Sequence, residues 1–175
     1  MIIGVTGKSG VGKSTYAKKL AENSGFYVIH VDEIAHEIIA RDDIRSQLLA
    51  VFGDSAAKDG EIDKKYIGDL VFTNRHLYRK MRDLIWGEMK QKIDYIISTH
   101  ENVVLDWIIL PSTHYWDMCD NRILITADDE KRKLMVMRRD AISAEYLEKR
   151  DSASISYDGI KFDEIIENNY MEEHL

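Results

Sequence analysis

Residues Gly7-Lys8-Ser9-Gly10-Val11-Gly12-Lys13-Ser14 are the part of this chain best suited to chemistry. They fit the pattern G-x-x-x-x-G-K-S/T, which wraps backbone N–H groups around a phosphate. Glycines are needed because the inward-facing N–H groups require backbone conformations that a Cβ obstructs. Gly7, Gly10, Val11, Gly12, Lys13, Ser14 and Thr15 are therefore the expected phosphate-binding residues. The ammonium of Lys13 is placed to reach a β- and γ-phosphate, and the hydroxyl of Ser14 to bind Mg²⁺. A helix that starts here turns its positive end toward the anion. Two carboxylates complete the candidate set. Asp32 follows the second apolar run and Asp106 ends the third, both where open parallel sheets bind ligands. Asp32 can serve as a general base toward an attacking hydroxyl, or cap a helix over 32–40. Asp106 can hold a Mg²⁺ shell, since that ion keeps several waters and takes few carboxylates.

The elements that must hold these groups are legible as apolar runs. Met1–Val5, Phe26–Val31, Asn102–Ile109 and Arg122–Thr126 read as strands, with a fifth at Asp163–Asn168. The middle ones are apolar on consecutive residues, as in strands covered on both faces. A helix with Ala17, Leu20 and Ala21 on one face joins the first two and ends at "NSG". That βαβ unit implies a parallel sheet. Roughly 70 residues separate the second and third strands, far more than one crossover needs. They carry helical spacing at Ile34, Ile38 and Ile39, at Ile44, Leu48 and Leu49, at Ile67, Leu70 and Val71, and from Leu77 to Ile97. The segments "FGDSAAKDGEID" and "TNRH" read as loops between them. Residues 128–150 form a charged helical stretch.

The 175 residues, 45% hydrophobic and 31% charged, fit one globular domain with a substantial core. A net charge of −7 argues against a chain that grips DNA or RNA by its phosphates, though not against a nucleotide. The single cysteine, Cys119, excludes an intramolecular disulfide and a cysteine-rich zinc site. The glycine motif begins at Gly7, which leaves no room for a signal peptide, and "VVLDWIIL" is too short to span a bilayer. The expectation is a cytoplasmic protein with a small-molecule partner, no nucleic-acid polymer, no membrane, and a monomeric or small homo-oligomeric state.

Lys8 and Lys13 also fit K-x-G-x-G-K-S/T, which resembles the loop of partition and site-selection ATPases. That resemblance implies an ATP-dependent dimerising switch. Against it, Ser9 stands where those proteins have a second glycine, "VVLDWIILP" lacks their proline-rich turn after the strand Asp, and the helical insertion has no counterpart. A second resemblance covers nearly the whole chain. "GVTGKSGVGKST", "VIHVDEIAHEI", "DGEIDKKYIGDLVF", "VVLD", "RRDAISAEYLEKR" and "DEIIENN" occur in the order seen in the dephospho-coenzyme A kinase family. It implies a P-loop NTPase fold of three α/β/α layers, with a five-stranded parallel sheet, a helical substrate-binding insertion and a lid. On that plan the core is 1–33, 101–130 and 155–175, the insertion 34–100 and the lid 131–154.

The resemblance implies ATP and Mg²⁺ as cofactors and transfer to the ribose 3′-hydroxyl of dephospho-CoA. It matches Asp32 to the second Asp of a D-A-D motif, whose first Asp is His30 here, and supports Asp32 as base beside Lys13. Arg139 matches the arginine of the lid motif R-D-x-x-S, with Arg138 and Arg150 as further lid cations. Lys64 and Lys65 match basic residues that meet the acceptor's phosphates. Trp86-Gly87 replaces a His-Pro pair, Ser154 a glutamine and Met135 a lid arginine. Those departures keep a (deoxy)nucleoside monophosphate kinase as the alternative within the enzyme class. Lys8 is expected in solvent or leaning toward the acceptor.

Overall fold

In the computed structural model the chain divides into two compact units, Met1–His30 with Thr99 onward, and Val31–Ser98. The structure describes residues 1–169, with the backbone alone at Lys64 and Phe72. The expected roles of the Lys64 side chain and of residues 170–175 lie outside that description.

The first unit is built on β1 (Ile2–Thr6), β2 (Tyr27–His30), β5 (Val103–Asp106), β6 (Asn121–Thr126) and β7 (Glu164–Glu167). They form one parallel sheet in the order β2-β5-β1-β6-β7. All five expected strands exist, and the α/β/α class holds. Ile3, Val5, Val104, Ile123 and Ile125 pack with Val11 and Ala17 into its core, bordered by Tyr16, Leu20 and Phe26. Helix α1 (Lys13–Ser24) leaves the glycine loop directly and ends at Gly25, whose φ of 71° and N–H bond to the Ala21 carbonyl form a left-handed cap.

Strand ends shift by one residue in several places, and two of the differences bear on the site. The third strand stops at Asp106 and does not continue to Ile109, because the Ile108 carbonyl accepts from the Thr6 hydroxyl at 2.8 Å and the Tyr157 hydroxyl at 3.0 Å. A 3-10 turn at Leu110–Ser112, containing Pro111, follows. The second strand stops at His30, since Val31 already begins α2 (Val31–Ile39). Asp32 is consequently the second helical residue and not the one that precedes the helix. A short helix α6 (Tyr115–Met118) precedes β6. The charged stretch is two helices, α7 (Asp129–Asp140) and α8 (Ala144–Ser152), broken at Ala141 with φ 50°.

The second unit holds α2, α3 (Asp42–Phe52), α4 (Lys64–Thr73) and α5 (Arg75–Thr99, whose last residue belongs to the first unit). The side chains of Ile34, Ile38, Ile44, Leu48, Phe52, Ile67, Ile85, Met89 and Ile93 are buried. The segment read as a plain loop contains a small hairpin, β3 (Ala57–Lys58) against β4 (Glu61–Ile62). Asp59 and Gly60 turn it with φ of 54° and 85°, as a two-residue hairpin loop requires. Asp63 then caps α4 by accepting from the Tyr66 N–H.

Candidate active site

The carboxyl edge of the first unit's sheet concentrates the chemistry. Strand β1 ends at Thr6 and the chain enters the glycine loop. Gly7 has φ 146°, and a Cβ there would lie 2.3 Å from the Ile125 carbonyl oxygen. Only glycine lets the loop start this close to β6. Lys13 is 8% exposed, and its ammonium donates back across the loop to the Lys8 carbonyl at 3.1 Å.

Ser14 faces β5, the neighbour of the edge strand β2. Its hydroxyl donates to Asp106 Oδ2 at 2.6 Å. Asp106 is buried, and the same oxygen lies 2.9 Å from Nδ1 of His30. Parallel pairing of β2 with β5 sets His30 beside Asp106, so register creates this contact between residues distant in sequence. Ser14 and Asp106 offer the hard oxygen donors that Mg²⁺ prefers. Among the described residues no group of three or more His, Cys, Asp or Glu could hold a metal by itself.

Helices α7 and α8 bring three arginines to Ser9. Arg132 is 1% exposed; it donates to the Ser9 carbonyl at 3.2 Å, to Asp129 Oδ1 and to Asp151 Oδ2 at 2.5 Å. Burial works against its charge, but the bonds to Asp151 and Asp129 outweigh that and raise its pKa. Arg139 and Arg150 both reach the Ser9 hydroxyl, at 3.5 and 3.2 Å, and both pair with Asp140. The Arg139 bond, opposed by partial burial and reinforced by Arg150, lowers the Asp140 pKa. Arg138 is exposed. Lys8 is exposed, as one of its two expected placements has it, and its ammonium lies 3.8 Å from Asp129 at the start of α7. On the far side of the loop, the Asn168 side chain donates to the Val11 carbonyl at 2.9 Å.

The structure thus brings Lys13, Ser14 and Asp106 to one edge and sets Arg139 against the same loop. Asp32 belongs to the second unit and is exposed in the first turn of α2, as are Glu33 and His36 on that helix. Four residues of the edge were not singled out for these contacts from the sequence: His30 as Asp106's partner, Arg132, Tyr157 and Asn168. Arg132 hides in a charged run that reads as a solvated face. Its signal was Asp129, three residues upstream on the same helix.

Comparison with known proteins agrees with this geometry. The dephospho-CoA kinase family profile matches residues 1–172. The chain belongs to the dephospho-CoA kinase family. It is therefore a kinase of coenzyme A biosynthesis, and the dimerising-switch reading falls away. The dephospho-CoA kinase of Fusobacterium nucleatum is 31% identical over 97% of this chain and 90% of its own length. That of Latilactobacillus sakei is 30% identical over 95% of this chain and 86% of its own. Among solved structures, a Thermus thermophilus protein is similar with a TM-score of 0.78 at 26% identity, covering 96% of this chain and 88% of that one. Dephospho-CoA kinase from Campylobacter jejuni gives 0.62 at 25% identity, over 95% and 87%.

Proposed function

We propose that this family member transfers the γ-phosphoryl group of ATP to the ribose 3′-hydroxyl of dephospho-CoA, using Lys13, Ser14, Asp106, Asp32 and Arg139. The observation that carries the assignment is the Ser14–Asp106 hydrogen bond beside a buried Lys13, at the mouth of the glycine loop. Backbone N–H groups of Gly7 to Thr15 would cradle the polyphosphate, and Lys13 would leave the Lys8 carbonyl for phosphate oxygens. Charge-assisted bonds to an anion are shorter and stronger than one to a neutral carbonyl. Ser14 and Asp106 would hold Mg²⁺, which, when bound, supplies positive charge to the phosphates.

Asp32 would accept the proton of the 3′-hydroxyl as that oxygen bonds to phosphorus and the bond from phosphorus to the ADP oxygen breaks. Arg139 would spread positive charge over the equatorial oxygens in the transition state. The second unit, with its four helices and hairpin, is proposed as the acceptor-binding part, Lys65 among its cations. Residues 131–154 are proposed as the lid, and the cytoplasm, where ATP is plentiful, as the site of action.

A panel of dephospho-CoA, AMP, CMP, dCMP and dGMP, each with ATP, tests the acceptor. Phosphate should pass to dephospho-CoA at least tenfold faster than to any other. Preference for a monophosphate would replace this reading by a nucleoside monophosphate kinase. Asp32→Ala should lower kcat at least tenfold with ATP affinity nearly unchanged, measured by steady-state kinetics and calorimetry. Undiminished turnover would remove the base assignment.

A further inference from the structure

Strands β2 and β5 both end on a polar residue, and parallel pairing sets the two side by side, His30 against Asp106. Residues in register share a face of the sheet, so the imidazole and the carboxylate meet. Nδ1 of His30 lies 2.9 Å from Oδ2 of Asp106, and the Ser14 hydroxyl lies 2.6 Å from that same oxygen. The His30 side chain is 15% exposed and that of Asp106 5%, which shields the contact from water. His30 has no role in the phosphoryl transfer proposed above, yet it touches a residue that has one.

An ionised carboxylate accepts hydrogen bonds and donates none. Both contacts to Oδ2 therefore run toward Asp106: Ser14 gives its O–H and His30 its Nδ1–H. The hydrogen sits on Nδ1 whether the ring is neutral or charged, so the contact needs no change of protonation. The two donors differ in what else they can do. The Ser14 oxygen keeps lone pairs that its donation does not use, and these can bind a cation; the Nδ1–H of His30 can only hold the carboxylate. Ser14 is carried by α1 and His30 by β2, so two separate elements brace Asp106. An ionised aspartate at position 30, as in the D-A-D motif that His30-Val31-Asp32 matches, would itself be an acceptor and could not make this bond.

We propose that His30 is a positioning residue for the Mg²⁺ site: its Nδ1–H locks the Asp106 carboxylate in the orientation in which Asp106 and Ser14 together receive the ion that accompanies ATP. Groups that hydrogen-bond a metal-binding side chain fix its direction, and losing one typically costs about 10–100-fold in metal affinity. This rests on the reading of Ser14 and Asp106 as the Mg²⁺ site, and it adds to them a residue from a neighbouring strand that the glycine-loop motif does not contain. The effect falls on the metal and not on the phosphates, which the loop N–H groups and Lys13 hold without His30.

The test reads binding alone, on the full chain, with a non-hydrolysable ATP analogue and no acceptor. Calorimetry gives the Kd of the analogue at saturating Mg²⁺ and again with EDTA in place of the metal; the ratio of the two measures what the protein gains from the ion. His30→Ala should reduce that ratio about tenfold, with the metal-free Kd within about threefold of the wild type. His30→Asn, whose side-chain amide keeps an N–H toward Asp106, should restore most of the ratio. An unchanged ratio in His30→Ala would remove His30 from the metal site. A metal-free loss as large as the loss with Mg²⁺, or an asparagine variant no better than alanine, would make it a structural residue; each of these overturns the proposal. Should the alanine variant not fold, His30→Phe, which fills the space of the ring without an N–H, decides by the same ratio. A wild-type chain that binds the analogue equally with and without Mg²⁺ would instead overturn the Ser14–Asp106 metal site itself, and this assignment with it.

Discussion

Gly7 shows how narrow the tolerance of the phosphate loop is at a single residue. Its φ of 146° is open to glycine and strained for other residues, and the atom a Cβ would meet is a backbone oxygen of β6, which cannot rotate away. Gly7→Ala should cost about 2–3 kcal/mol of stability and abolish measurable nucleotide binding. Thermal melts and calorimetry check both, and a variant that binds ADP normally would contradict the tight-approach argument. Lys13, Ser14 and the loop glycines were legible because they are contiguous: a local backbone path needs its residues in one short string. The His30–Asp106 contact was not, because parallel register pairs residues that lie far apart along the chain. No spacing rule reaches from one strand to another.

Among the elements, α7 and α8 turn a charged, apparently solvated stretch into a clamp on the loop. Asp129, in the first turn of α7, receives Lys133, Arg132 and Lys8. The Lys133 hydrogen bond is the largest influence; burial opposes it, Arg132 and Lys8 reinforce it, and the carboxyl is lowered to about 2. A carboxyl lowered from 3.8 contributes stability above that value and loses it as pH falls through about 2. Nearly half of the Asp129 side chain is exposed, so the contribution is discounted to about 1 kcal/mol. Asp129→Asn should thus lower Tm by about 2–4 °C at pH 7, and the difference should shrink in melts taken from pH 4 down toward pH 2. A gap that does not change with pH would show that the charge is not its source. The same scale shows what periodicity cannot report. Trp107 to Ile109 are as apolar as a strand, but Thr6 and Tyr157 claim the Ile108 carbonyl and the strand ends early. The β3–β4 hairpin is only two residues long on each side, too short for alternation to register, although Asp59-Gly60 marked its turn.

At the scale of the whole molecule, the proposed nucleotide site lies in the unit that contains the sheet, and ligand binding there should stabilise that unit by mass action. ADP at a hundred times its Kd adds about 2.7 kcal/mol, equivalent to a rise in Tm of roughly 5–10 °C. Lys13→Ala should remove most of that rise in a differential scanning experiment; a full rise in the variant would take Lys13 out of the phosphate site. No described helix is long and apolar enough to cross a membrane. By itself the sequence determined the family and the five parallel strands and marked the residues of the proposed phosphate loop, since each is written in local order or in buried apolar runs. Only the tertiary structure decided that Asp106 is shared by Ser14 and His30, that Lys8 serves Asp129, and that Arg132, Arg139 and Arg150 meet at Ser9. Those contacts depend on strand register and helix docking, which bring together groups that the chain itself keeps far apart.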